Sequence, residues 1–115
     1  MSDQKVSVVE FNEVKAAEMM PGELTRRTLA FNDQIMLCHF TLKEGMKLEL
    51  HKHLAVQVGY VIKGKVRFIK GNGTRFLASA GTSYVFDSNE VHGIDEVLEP
   101  TELIECFSPM RPEYV

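Results

Sequence analysis

The chain has 115 residues, with 13 Lys plus Arg against 16 Asp plus Glu and a formal net charge of −3 at pH 7. One domain of this length buries about two-thirds of the surface its unfolded chain exposes. The chain holds no basic block and no Trp, which excludes a nucleic-acid footprint. No apolar run approaches the ~20 residues of a membrane span, and no charged-then-apolar leader is present. A cytoplasmic protein with no membrane partner is expected. Cys38 and Cys106 are too few for a disulfide scaffold and sit in apolar, strand-like runs, so both are expected reduced and buried.

Met1 to Lys5 is a polar start, expected to be mobile. Val6 to Phe11 reads as an edge strand or a swapped arm, and Glu13 to Met20 as one or two helical turns ended by Pro21-Gly22. Thr25 to Phe31 is a strand turned by Asn32-Asp33. Gln34 to Leu42 is a strand with apolar residues on both faces, carrying His39 as a core or interface histidine. Val58 to Ile62 is a strand stopped at Lys63-Gly64-Lys65. Val66 to Lys70 and Thr74 to Ala78 flank Gly71-Asn72-Gly73, a strong hairpin signal. Ser83 to Phe86, Val91 to Ile94 and Thr101 to Phe107 complete the strands, with Asp95 to Pro100 read as a charged turn. From Ser108 the chain leaves as an extended tail. About ten short strands, regular turn signals and almost no helix predict an all-β sandwich or barrel.

The chemistry concentrates in Gly45 to Gly64. If this run is extended, Met46, Leu48 and Leu50 fall on one face and Lys47, Glu49, His51 and His53 on the other. His51 and His53 are then ~6–7 Å apart, close enough for both imidazoles to lean onto one ion. Gln57 shares their parity, and a short turn at Leu54-Ala55 would bring its amide oxygen alongside. A His-x-His pair alone occurs on many exposed strands; the surrounding glycines and His92 add weight.

Together these residues resemble the cupin family. Gly45, five residues, His51-Lys52-His53, three residues, Gln57, six residues and Gly64 follow its first motif, with Gln in place of the usual Glu. Gly81, five residues, Asp87-Ser88-Asn89, two residues, His92, three residues and Glu96 follow its second, with Asp87 and Asn89 in place of a Pro and a Gly. The resemblance implies a double-stranded β-helix, or jelly-roll barrel, over residues 21–108, with an N-terminal arm at 1–20 and a tail at 109–115. It implies a divalent ion (Ni, Zn, Mn, Fe, Co or Cu) held by His51, His53, Gln57 and His92. From about Pro21 onward the chain looks like the small cupins of pectin degradation. The resemblance lies in Gly22 to Ala30, in Gln57 followed by Gly59-Tyr60-Val61, and in Phe107-Ser108-Pro109-Met110-Arg111. Glu105 stands where those cupins have Asp.

Three neutral imidazoles and a neutral amide leave the charge of a divalent ion uncompensated. At ~5 Å and an effective dielectric of ~20, one unit charge is worth about 3 kcal/mol to an anionic ligand. A small anionic substrate, a sugar acid, is therefore expected. The resemblance implies conversion of 4,5-unsaturated uronate monosaccharides to linear keto forms. In that reading Glu105 transfers a proton, Phe107 walls out water and Arg111 forks onto the carboxylate. Read alone, Glu105 is a solvated carboxylate, Arg111 a surface ion pair and Phe107 core. Two other classes stay open: a non-enzymatic metal- or small-ligand-binding cupin, and a metal-dependent dioxygenase. A homodimer is expected, since several strands carry apolar residues on both faces.

Overall fold

The computed structural model describes residues 4–115; the expectation for Met1, Ser2 and Asp3 lies outside them. Eight strands form one sheet in which every pairing is antiparallel. They are β1 (Ala17–Met20), β2 (Leu24–Phe31), β3 (Met36–Leu42), β4 (Leu48–His51), β5 (Val56–Lys70), β6 (Arg75–Ser79), β7 (Ser83–Phe86) and β8 (His92–Ser108). The only helical pieces among the described residues are short 3₁₀ turns at Phe11–Glu13 and Pro112–Tyr114. Among the described residues no helix is long and apolar enough to cross a membrane.

The strands are fewer and longer than expected. Lys63-Gly64-Lys65 bends β5 instead of stopping it, and the charged run after Ile94 continues inside β8. The bend has a local cause. Gly64 has φ +101°, and a Cβ there would lie 2.5 Å from the Pro100 carbonyl and 2.4 Å from Thr101 Oγ1. Only glycine takes that conformation and approach without strain. The charges stay extended because they pair across the strands, Arg67 with Asp95 at 2.7 Å and Lys65 with Glu99 at 3.8 Å.

Bending β5 and β8 together makes two walls. The first half of β5 and the second half of β8 join β3, β2 and β1 on one side and β7 on the other. The remaining halves join β4 and β6. Met36, Phe40, Val61, Phe68, Phe86 and Val97 are buried between them. Gln34 to Leu42 is expected to be buried on both faces; Met36, Cys38, Phe40 and Leu42 are buried on one, and on the other His39 is buried, Leu37 half-buried and Thr41 exposed.

The expected helical turns at Glu13 to Met20 are a strand at Ala17–Met20, because Pro21-Gly22 turns the chain back and pairs Ala17 with Arg26. Val6 forms an isolated bridge to Phe31 of its own chain. Both cysteines are free, Cys38 buried and Cys106 half-buried. The tail does not run free. It turns back so that the ring of Tyr114 is buried against Phe40 and Phe107.

Candidate metal centre

β4 meets β8 through Leu48 opposite Ile94 and His51 opposite His92. The extra residue on β4 is a bulge. The strict alternation expected over Met46 to His53 therefore breaks, and Leu48 and His51, three residues apart, both line the cavity between the walls. Gly93 permits the close approach: a Cβ there would sit 2.6 Å from the Leu48 carbonyl oxygen. The chain then bends at Leu54-Ala55, as expected, and returns Gln57 beside His53.

The ligating atoms of His51, His53 and His92 lie within 4.8 Å of one another. Each ring is held by its Nδ1. His51 donates to the Glu49 carbonyl at 2.9 Å, His53 to that of Ala55 at 2.8 Å, and His92 to that of Glu90 at 2.7 Å. A carbonyl only accepts, so each Nδ1 carries the hydrogen and each neutral ring keeps its lone pair on Nε2. His92 Nε2 is buried without a partner, and its ring stacks on Phe86 at 4.2 Å. Burial pushes the His92 imidazole down to about 4, and the neighbouring His51 and His53 oppose its charge further. Burial also lowers His53, as does the Arg111 guanidinium.

His53 Nε2 lies 3.0 Å from Gln57 Oε1. With Nδ1 already the donor, a neutral His53 has no hydrogen to give. Two lone pairs face each other at hydrogen-bond distance, an arrangement that a cation between or beside them relieves. Together with the orphaned Nε2 of His92, this donor set fits a divalent metal ion.

Behind Gln57 lies a buried polar chain. Gln57 Nε2 donates to Glu105 Oε2 at 2.6 Å, and the Tyr84 hydroxyl donates to the same oxygen at 2.6 Å. Glu105 is buried rather than solvated. Burial pushes its carboxyl above the usual range, while Tyr84, Gln57 and Arg111 pull it back.

The cavity has a volume of ≈ 390 Å³ and its lining includes His51, Gln57, His92, Glu105, Phe107 and Arg111. Phe107 is fully buried, edge-on to His53 with ring centroids 5.9 Å apart. The Arg111 guanidinium lies over the rings of Tyr114 at 4.2 Å and Phe107 at 5.1 Å. Its Nη1 donates to the Tyr114 hydroxyl at 2.9 Å and its Nη2 to Glu113 at 3.2 Å, while its Nε is buried without a partner. His39 is elsewhere, bound to Glu102 at 2.6 Å with Phe11 edge-on to its ring. Sequence reasoning missed Tyr84, Phe86 and Tyr114. Tyr84 and Phe86 have matching parity on β7 and read as ordinary core; only Gly59, opposite Tyr84, signals that a large side chain crosses there.

These features define an all-β protein with a metal-competent histidine centre in a cavity. The cupin domain family matches residues 38–105, and the chain belongs to that family. It is 27% identical over 99 residues to the pectin degradation protein KdgF of Dickeya dadantii, a match covering 85% of this chain and 89% of that one. The solved structure of KdgF from Halomonas sp. superposes with a TM-score of 0.85 at 26% identity, covering 95% of this chain and 100% of that one. An RmlC-like cupin from Shewanella frigidimarina gives 0.87 at 26% identity, over 97% and 99%.

Proposed function

We propose that the chain is a metal-dependent isomerase that converts 4,5-unsaturated uronate monosaccharides to their linear keto forms. The observation that carries this reading is the cluster of three imidazoles, with the Gln57 oxygen 3.0 Å from His53, beside a cavity lined by His51, Gln57, His92 and an arginine with an unpaired Nε. The likeness to proteins named for pectin degradation supplies the substrate class.

In this reading His51, His53, Gln57 and His92 hold the ion, which when bound supplies Lewis-acid polarisation of substrate oxygens. Arg111 receives the substrate carboxylate. Its Nη2 is engaged only by the exposed Glu113, which a substrate carboxylate can displace, and two parallel N–H···O bonds then fix the sugar's orientation. The reaction is an isomerisation: the C1 hydroxyl gives up its proton and C1 becomes an aldehyde as the bond from C1 to the ring oxygen breaks, that oxygen stays on C5 and becomes a ketone, and the electrons of the C4=C5 double bond take up one proton at C4. Glu105 transfers that proton, its carboxyl being held by burial closer to neutrality than a solvated one. Phe107 keeps water from the side of the site next to His53.

Two further features belong to the proposal. The two walls are those of a jelly-roll barrel, and the outward face of β5, where Val56, Val58, Tyr60 and Ile62 are exposed beside Val85 of β7, is the contact between two copies of the chain.

A second reading rests on the apolar part of the cavity wall. Leu24, Leu42, Leu48, Ile94 and Leu103 line it, a surface suited to a carboxylate ligand with an apolar body, held by a binding protein without turnover. One assay separates the two. Purified protein is mixed with 4,5-unsaturated galacturonate, and the ultraviolet absorbance of the conjugated double bond is followed with and without chelator. Chelator-sensitive loss well above the spontaneous rate supports the isomerase. Absorbance that stays at the spontaneous rate with metal bound sinks it in favour of the binding protein.

A further inference from the structure

The amide of Gln57 has two ends of nearly equal size, and only one of them suits a cation. If Oε1 faces the histidines, its lone pairs join theirs. If the amide turns over, two N–H groups face the ion and an oxygen faces Glu105. The histidines do not supply that preference: with each Nδ1 the donor, all three Nε2 atoms are acceptors, and in the metal-free chain they favour the N–H end. The choice is made behind the glutamine.

We infer that Tyr84 is a positioning residue: through Glu105 it sets the Gln57 amide so that its oxygen faces the histidines. This rests on the metal-centre reading above. Gln57 Nε2 donates to Glu105 Oε2 at 2.6 Å, and the Tyr84 hydroxyl donates to that same oxygen at 2.6 Å. A hydroxyl has one hydrogen. Spent on Oε2, it keeps that oxygen an acceptor, because a carboxyl proton would have to sit on Oε1 instead. Oε2 can then receive only an N–H from Gln57, and a turned-over amide would set oxygen against oxygen in a buried site.

The sheet is built to allow this. Gly59 of β5 stands opposite Tyr84 of β7 on one side and Glu105 of β8 on the other. Strands two places apart are separated by roughly 9–10 Å, too far for most pairs to meet across an intervening side chain. With no side chain at Gly59, the Tyr84 ring lies across the strand: a Cβ there would be 2.2 Å from its Cζ and 2.4 Å from its hydroxyl oxygen. Burial and the neighbouring Glu105 raise the Tyr84 phenol far above its ordinary value, so the hydroxyl keeps its hydrogen.

The test uses Ni²⁺ and a chromophoric chelator in competition with the full chain. Tyr84→Phe keeps the ring and removes only the hydroxyl; substitutions behind a metal ligand typically cost 10–100-fold in affinity. Tyr84→Phe should weaken Ni²⁺ binding about tenfold in the parent, near the lower end of that range, and less than about twofold in a Gln57→Ala background, where no amide remains to orient. Equal losses in both backgrounds, or no loss in the parent, overturn the inference. A second readout needs no metal. In the metal-free protein the Gln57 side-chain N–H bound to Glu105 should give a downfield, slowly exchanging amide resonance. Tyr84→Phe and Glu105→Gln should each move it back toward free glutamine, and an unchanged resonance in both overturns the inference. Because neither measurement involves a uronate, failure of the substrate assignment leaves both untouched. A parent that binds no Ni²⁺ overturns the metal-centre reading and, with it, the role given to Tyr84.

Discussion

Tyr84 and Glu105 belong to strands that do not pair, yet the hydroxyl of one lies 2.6 Å from the carboxylate of the other, across Gly59. The first prediction concerns that glycine. Its backbone is ordinary, so its use is space, not conformation. Gly59→Ala drives a methyl into the Tyr84 ring, and overpacking of this kind costs about 1–3 kcal/mol. Equilibrium urea unfolding should show a loss of that size. It should largely vanish against a Tyr84→Ala background, where the ring is gone. A loss below ~0.5 kcal/mol, the range of an ordinary surface change, would show that the ring steps aside freely.

The metal-free protein should be less stable in mild acid. Burial holds the His92 imidazole at about 4 in the folded chain, against an ordinary 6.5. The unfolded chain therefore binds the extra proton first, and stability present above pH ~6.5 is lost as pH falls toward ~4. The shift corresponds to about 3 kcal/mol, and lowered His53 acts in the same direction. Thermal unfolding in the presence of chelator should show a melting temperature falling across that window. The slope should be shallower in His92→Gln. An equal slope in that variant would place the acid sensitivity elsewhere.

Much of this centre was legible in the chain. Parity and a short bend bring His51, His53 and Gln57 together from the chain alone; His92 is named by the resemblance of the two motifs to the cupin family, and its pairing with His51 brings it to the same place. What spacing could not show is parity through a bulge. One extra residue between Leu48 and His51 overturned the alternation on which the face assignment rested. Nor could it show that Gly64 bends a strand where glycine between lysines reads as a stop, since the bend depends on Pro100 and Thr101, distant in sequence. Tyr84 stayed hidden for the same reason: its partner lies two strands away. The tail misled because Tyr114 packs on Phe40 and Phe107, contacts that no local pattern carries.

Metal should stabilise the fold, and only through the cluster. A ligand that binds only the folded chain adds about 2.7 kcal/mol at a hundred times its dissociation constant. Ni²⁺ or Zn²⁺ should raise the melting temperature of the parent. His92→Ala should abolish most of the rise, because its Nε2 is the buried atom left without a partner. His39→Ala should leave the metal-induced rise intact, its ring being committed to Glu102 at 2.6 Å. A rise lost in His39→Ala and kept in His92→Ala would move the ion away from the cluster.

Arg111→Lys should separate carboxylate recognition from metal binding. The guanidinium carbon lies over the rings of Tyr114 and Phe107, and an ammonium does not reproduce the planar fork. Losing one charged hydrogen bond to the carboxylate costs about 1.5–3 kcal/mol, roughly ten- to a hundredfold in kcat/KM for unsaturated galacturonate. Ni²⁺ affinity should stay within about twofold, since Arg111 is not in the proposed donor set. Turnover equal to the parent would remove the carboxylate role.

The outer face of β5 carries the last prediction. Val58 is 45% and Tyr60 46% exposed, on a strand whose alternate residues Gln57, Gly59 and Val61 are buried. Val58 lies between Val85 of β7 and Cys106 of β8, so the apolar surface extends across three strands. Water gains from covering such a patch, and a second copy presenting the same patch covers both at once. Light scattering should give twice the mass of the chain for the parent and the mass of one chain for Val58→Asp, which buries a charge if the dimer forms. The site faces the other side of the sheet, so the variant should keep its metal-induced rise in melting temperature. A parent that already scatters as a single chain would mean that this face meets something other than its own copy or nothing at all.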